Sequence, residues 1–210
     1  MAEAAHAPTH AAGAPHSATG IDSRKLLMWI FLASECLFFG SLLATYLIFK
    51  GEPTTAMNEH GLLLTPANIL DIPLTSQSTF VLLMSSVTMV LAVYGAQNAH
   101  FKMMKLWLLA TVLLGVVFLG YQGFEFTTFG NEGLNLGTNQ FGASFFMLTG
   151  FHGAHVAIGV LYLGSLLLGS FRRNGLGSEA GLNVEIAGLY WHFVDVVWIV
   201  LFTVIYLIPA

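Results

Sequence analysis

Seven ionisable side chains stand inside otherwise apolar runs of this sequence: Glu35, Glu125, His152, His155, Glu185, His192 and Asp195. His192 and Asp195 are three apart and share a helical face, and Glu185, two turns before His192, falls close to it. His152 and His155 repeat that spacing, which can aim two imidazoles at one metal ion. Three chemistries are compatible with such residues: proton handling by the acids, a di-metal carboxylate centre, and a haem held between His155 and His192. The four-helix di-metal pattern needs two Glu-x-x-His elements, and none lies within the apolar runs. Haem ligation needs histidines facing each other from two helices, and only their presence speaks for it. Interhelical hydrogen bonding is the simpler expectation, with Asp195 and Glu185 as acceptors for the histidines. His6, His10 and His16 lie in a polar N-terminal stretch and read as incidental residues of a solvated tail rather than a metal site.

Glu35 is the only acid in its run, flanked by Phe31, Phe38 and Phe39. A bare carboxylate is penalised at membrane depth, so this acid is expected to be held neutral or hydrogen-bonded to a neighbouring helix. A structural role is favoured over a proton relay. Glu125, three residues after Gln122 and near the outer end of its run, is expected to form a structural pair with that amide.

The elements that must position these groups are membrane helices. Of the 210 residues, 56% are hydrophobic and 9% charged, against about a quarter charged in a soluble domain. Runs of about twenty apolar residues predict an all-α bundle of five transmembrane helices, over 26–49, 79–98, 103–126, 141–169 and 186–208. Residues 1–22 carry too few large apolar side chains to order themselves and lack the basic-then-apolar order of a signal peptide, leaving 23–210 as the membrane domain. Asp22 or Ser23 can cap the first helix, and Lys50, Gly51 and Pro53 end it. Pro53, Pro66 and Pro73 argue for an external loop over 51–77. Small residues at Gly150 and Ala154, and at Gly153 and Ala157, predict a close helix approach. The hydroxyls of Ser85, Ser86 and Thr88 can bond across helices. Trp107, Tyr121 and Tyr206 suit the membrane interfaces.

With the N-terminus in the cytoplasm and the C-terminus outside, Arg24, Lys25, Lys102, Lys105, Arg172 and Arg173 fall inside and only Lys50 outside, as the positive-inside rule requires. The net charge of −4 suggests no nucleic-acid surface, and the single Cys36 rules out an internal disulfide.

The block Tyr190-Trp191-His192-Phe193-Val194-Asp195-Val196-Val197-Trp198 resembles the last helix of subunit III of the haem-copper respiratory oxidases. The resemblance extends to Thr149-Gly150-Phe151-His152-Gly153-Ala154-His155-Val156, to Glu125 after Tyr121-Gln122, and to Ser34-Glu35 before Phe38-Phe39, and it covers the chain from Lys25 onward. It implies a multi-pass subunit of a bacterial inner-membrane terminal oxidase that contacts subunit I directly, together with subunit II and membrane lipids. Such a subunit stabilises the catalytic subunit and supports proton uptake during oxygen reduction. It holds no redox cofactor, haem and copper lying in the partner subunits, and it can bind phospholipid between its helices. The resemblance carries Glu35, Glu125, His152, His155, Glu185, His192 and Asp195 over as intramembrane polar positions, none a metal or cofactor ligand. Cytochrome c is expected as donor ahead of quinol. One departure stands out: the long form has two further helices ahead of the Ser-Glu helix, where this chain has its polar tail. A b-type haem anchor and a proton-coupled transporter are the rival classes; the second would require inverted repeats or broken helices, and the sequence shows neither.

Overall fold

The computed structural model describes residues 22–50, 57, 61, 72–134, 136–137, 139–171 and 180–208. The expected tail, most of the 51–77 connection and residues 172–179 lie outside the described residues. Among the described residues five α-helices follow one another: α1 Ser23–Lys50, α2 Ile72–Gln97, α3 Phe101–Asn131, α4 Gln140–Ser170 and α5 Ala180–Phe202, the last running into a π-helical turn, Thr203–Leu207. Each is long and apolar enough to cross a bilayer.

Local chemistry sets several helix ends. The Asp22 carboxylate accepts from the backbone N–H of Arg24 at 2.9 Å, so Asp22 caps α1. Asn139 Oδ1 accepts from the N–H of Gly142 at 2.6 Å and caps α4. Between α2 and α3 the chain reverses within three residues. There Ala99 takes a left-handed φ of 55°, and His100 N–H returns to the Gly95 carbonyl at 2.8 Å.

Two boundaries differ most from expectation. Helix α2 starts at Ile72, so Pro73 is helical rather than part of a loop; in a first turn the missing proline N–H has no helical carbonyl to serve. Helix α5 starts at Ala180, ahead of the expected start at 186, so Asn183 and Glu185 lie in its early turns.

In cross-section, α1, α4, α3 and α2 form an arc of neighbours around α5, which packs against α1, α2 and α4. Among the described residues α1 and α2 scarcely touch, so the arc is open between them. Glycines let α5 sit this deep. The Trp191 indole is fully buried, and a Cβ at Gly159 would meet its ring at 2.9 Å and one at Gly115 at 2.7 Å. The predicted small-residue pairs act less directly: Gly153 admits the Gln122 side chain, whereas Ala154 is exposed.

Candidate functional site

Most of the intramembrane polar groups are joined between helices, and α2 supplies much of the pairing. Its Thr79 hydroxyl accepts from Trp198 Nε1 at 3.0 Å, its Ser85 hydroxyl accepts from Trp191 Nε1 at 3.0 Å, and Ser86 Oγ lies 2.7 Å from His192 Nδ1. Antiparallel helices bring residues late in one opposite residues early in the other, and these three contacts define one such register. Thr88 meets Thr111 of α3 at 2.9 Å. Short hydroxyls suit the task because each also satisfies itself locally: Ser85 donates to the Leu82 carbonyl, and Thr79 to the Thr75 carbonyl.

Glu125 is buried near the C-terminal end of α3. One of its carboxyl oxygens accepts from Thr75 at 2.6 Å and from Tyr206 at 2.8 Å, tying α2, α3 and the π-helical turn together. The expected pair with Gln122 does not form. The Gln122 amide instead donates to the Thr149 carbonyl of α4 at 2.8 Å. Tyr206 is correspondingly a buried lock rather than an interface anchor. These contacts depend on the early start of α2, which places Thr75 inside a helix.

Glu35 of α1 finds a partner on a neighbouring helix: its Oε2 lies 3.2 Å from His155 Nε2, with both side chains about 15% exposed. His155 Nδ1 is 2.7 Å from the Phe151 carbonyl, and Phe39 packs its ring edge-on at 5.0 Å. The acceptors expected for the histidines are engaged elsewhere or turned away. Glu185 pairs with Lys25 across α1 and α5 at 2.5 Å. Asp195 is buried against the Ser86 hydroxyl, which bonds His192, and neither carboxyl oxygen has a hydrogen-bond partner among the described residues.

His152 is fully buried among rings, stacked on Trp198 at 4.8 Å and flanked by Phe118 at 6.0 Å and Phe39 at 6.4 Å, with both nitrogens unpartnered among the described residues. Although His152 and His155 share a helix at metal-ligand spacing, one is enclosed by aromatic carbon and the other serves Glu35. His155 faces α1 and His192 faces α2, so the two do not oppose each other across a haem-sized gap. Among the described residues, no group of three or more His, Cys, Asp or Glu side chains is placed to hold a metal ion.

Lys25, Lys50, Thr75 and Tyr206 take part in contacts between helices that the sequence did not assign to them. Lys50 is buried, and its ammonium donates to the Val204 carbonyl at 2.6 Å and also to the Ile208 carbonyl. A cation capping a helix C-terminus offsets the partial negative charge there. An apolar, open-sided cavity of about 300 Å³ lies between α1 and α4, lined by residues including Leu42, Phe49, Ala143 and Met147.

The fold and its contacts define a class: a multi-pass membrane subunit whose intramembrane acids and histidines serve mainly to join helices. The chain belongs to the family of cytochrome c oxidase subunit III, whose description matches residues 6–209. It is 40% identical over 206 residues to a Staphylococcus saprophyticus protein named "Probable quinol oxidase subunit 3", covering 92% of this chain and 96% of the relative. It is 39% identical over 202 residues to the cytochrome c oxidase subunit 3 of Bacillus sp. strain PS3, covering 96% and 94%. It is 38% identical to a Staphylococcus aureus protein also named as a quinol oxidase subunit 3.

Proposed function

We propose that this chain docks as subunit III on subunit I of a haem-copper oxidase in a bacterial inner membrane, with subunit II in the same assembly. It acts there as a non-catalytic brace. Haem and copper reside in the partner chains, and reduced cytochrome c is the donor. The observation that carries this reading is the family match along nearly the whole chain. It is joined by the use of Glu35, Glu125, Glu185, His155 and His192 in contacts between helices. The family description and the Bacillus relative favour cytochrome c, while the staphylococcal relatives bear quinol oxidase names. The N-terminus is cytoplasmic. Glu35 and His155 hold α1 against α4 and so support proton uptake by the catalytic subunit through shape rather than by relaying protons. The cavity between α1 and α4 suits a lipid acyl chain.

Purification of the native complex through a tag on this chain tests the reading. The complex should contain subunits I and II, show haem absorbance that this chain expressed alone lacks, and oxidise reduced cytochrome c faster than quinol. Faster quinol oxidation would overturn the donor, and a stoichiometric haem in the isolated chain would overturn the brace. Topology is read from single cysteines in a Cys36→Ser background. Met57→Cys and Leu136→Cys should label from outside, and Asn98→Cys and Phe171→Cys only after permeabilisation.

A further inference from the structure

The open side of the arc exposes a strip of α5 to whatever surrounds the protein at mid-membrane. His192, Val196 and Ile199 follow one another at helical spacing along it; Val196 is 57% exposed and Ile199 43% exposed, on the helix that is otherwise the most enclosed of the five. His192 is half-buried and lies near the middle of the Gly181–Leu207 span. Its Nδ1 is taken by Ser86, and its Nε2 has no hydrogen-bond partner among the described residues.

The two banks of this groove differ. On α2 the exposed Leu83 shares a face with Ser86. On α1, beyond the residues that meet α5, the flank away from α4 carries Cys36 and Gly40. Cys36 is exposed, and a Cβ added at Gly40 would meet nothing within 4 Å. Small side chains on such a flank let another backbone approach closely.

We propose that this groove is the seat of one transmembrane helix from another polypeptide of the oxidase, an apolar helix carrying a hydroxyl or amide side chain at mid-depth that hydrogen-bonds to His192 Nε2. The proposal rests on the assignment to an oxidase complex made above. Three observations choose this occupant. A ring nitrogen facing hydrocarbon would stay unsatisfied, which disfavours lipid tails as the sole cover. A hydroxyl or amide can both donate and accept, so it matches either tautomer left by the Ser86 contact. The strip of α5 lies between α1 and α2, which both pack on α5 and, among the described residues, scarcely touch each other, so the site takes one inserted helix. A two-fold contact between copies needs a self-complementary patch, which two facing gaps do not provide.

The test uses the native membrane complex. Benzoylphenylalanine replaces Val196, the membranes are irradiated, and the complex is purified through this chain. The expected product is a crosslink to a single membrane-spanning segment of another oxidase subunit. A lipid adduct alone, a crosslink to a second copy of this chain, or no polypeptide adduct would overturn the proposal. If no other oxidase subunit co-purifies, the oxidase assignment itself fails; if subunits co-purify but Val196 crosslinks to none, only the helix seat fails. Side-chain variants then test the polar contact by the subunit retained through a graded detergent wash. His192→Phe should lower retention about threefold, as loss of one interhelical hydrogen bond in a membrane does. His192→Gln should restore it, and Ser86→Ala, which spares Nε2, should leave it unchanged. Loss with Ser86→Ala equal to that with His192→Phe would overturn the Nε2 contact.

Discussion

Replacing Gly159 by alanine sets two opposing terms against each other, and the Trp191 indole decides which one wins. The new methyl carbon would stand 2.9 Å from Cε3 and Cζ3 of Trp191 and 3.2 Å from Cε1 of Tyr190, where carbon atoms rest comfortably at about 3.5–4.0 Å. The indole cannot easily retreat. Its far edge already fills the space at Gly115, and its Nε1 is held by Ser85 at 3.0 Å. Such overpacking costs about 1–3 kcal/mol, while alanine gains about 1 kcal/mol over glycine within a helix. The expected net result is destabilisation by about 1 kcal/mol, the middle of the range that remains, or a fall of a few degrees in thermal midpoint for a chain of this size. In a Trp191→Leu background the contact with the indole disappears, leaving the looser one with Tyr190, and the helical gain remains, so the same substitution should become stabilising, by up to about 1 kcal/mol. Thermal unfolding of the four chains in detergent, followed by circular dichroism, measures the cycle. An equal cost of Gly159→Ala in both backgrounds would refute the role assigned to the indole, as would stabilisation in the unaltered chain.

Three further outcomes follow from individual contacts. Ala99→Gly should raise stability by about 1 kcal/mol, because glycine adopts the left-handed backbone at φ 55° without a Cβ penalty; an unchanged or lower thermal midpoint would contradict this. Lys50→Met removes the donor to the Val204 and Ile208 carbonyls and should cost about 1–3 kcal/mol. Faster amide exchange confined to residues 203–208 is the signature, and unchanged protection there would count against the cap. Tyr206→Phe should cost about 1 kcal/mol and Glu125→Leu clearly more, since the second substitution removes the acceptor of both Tyr206 and Thr75. Equal losses of thermal stability would show that the carboxyl does not join the two helices.

Much of the architecture is legible in the sequence. Runs of some twenty apolar residues leave a chain in a bilayer little choice but to satisfy its backbone groups within helices. The five spans therefore follow from length and composition. Helix ends are less legible. Pro73 reads as a breaker unless it is known to fall in a first turn, and the start of the last helix reads as 186 because the residues ahead of it are less apolar, although the helix begins at Ala180.

Partners are what tertiary structure alone decides. Helical spacing places His152 and His155 near one another on α4, yet a rotation of 300° about the axis sends one into a cage of rings and the other to Glu35. Glu125 and Gln122 share a face, but each reaches a different helix, since the hydroxyls of Thr75 and Tyr206 arrive from elements 50 and 81 residues away. Periodicity fixes the direction in which a side chain leaves its own helix. Which helix stands there, and at what register, depends on the packing of glycines against an indole two helices away, and no local pattern encodes that.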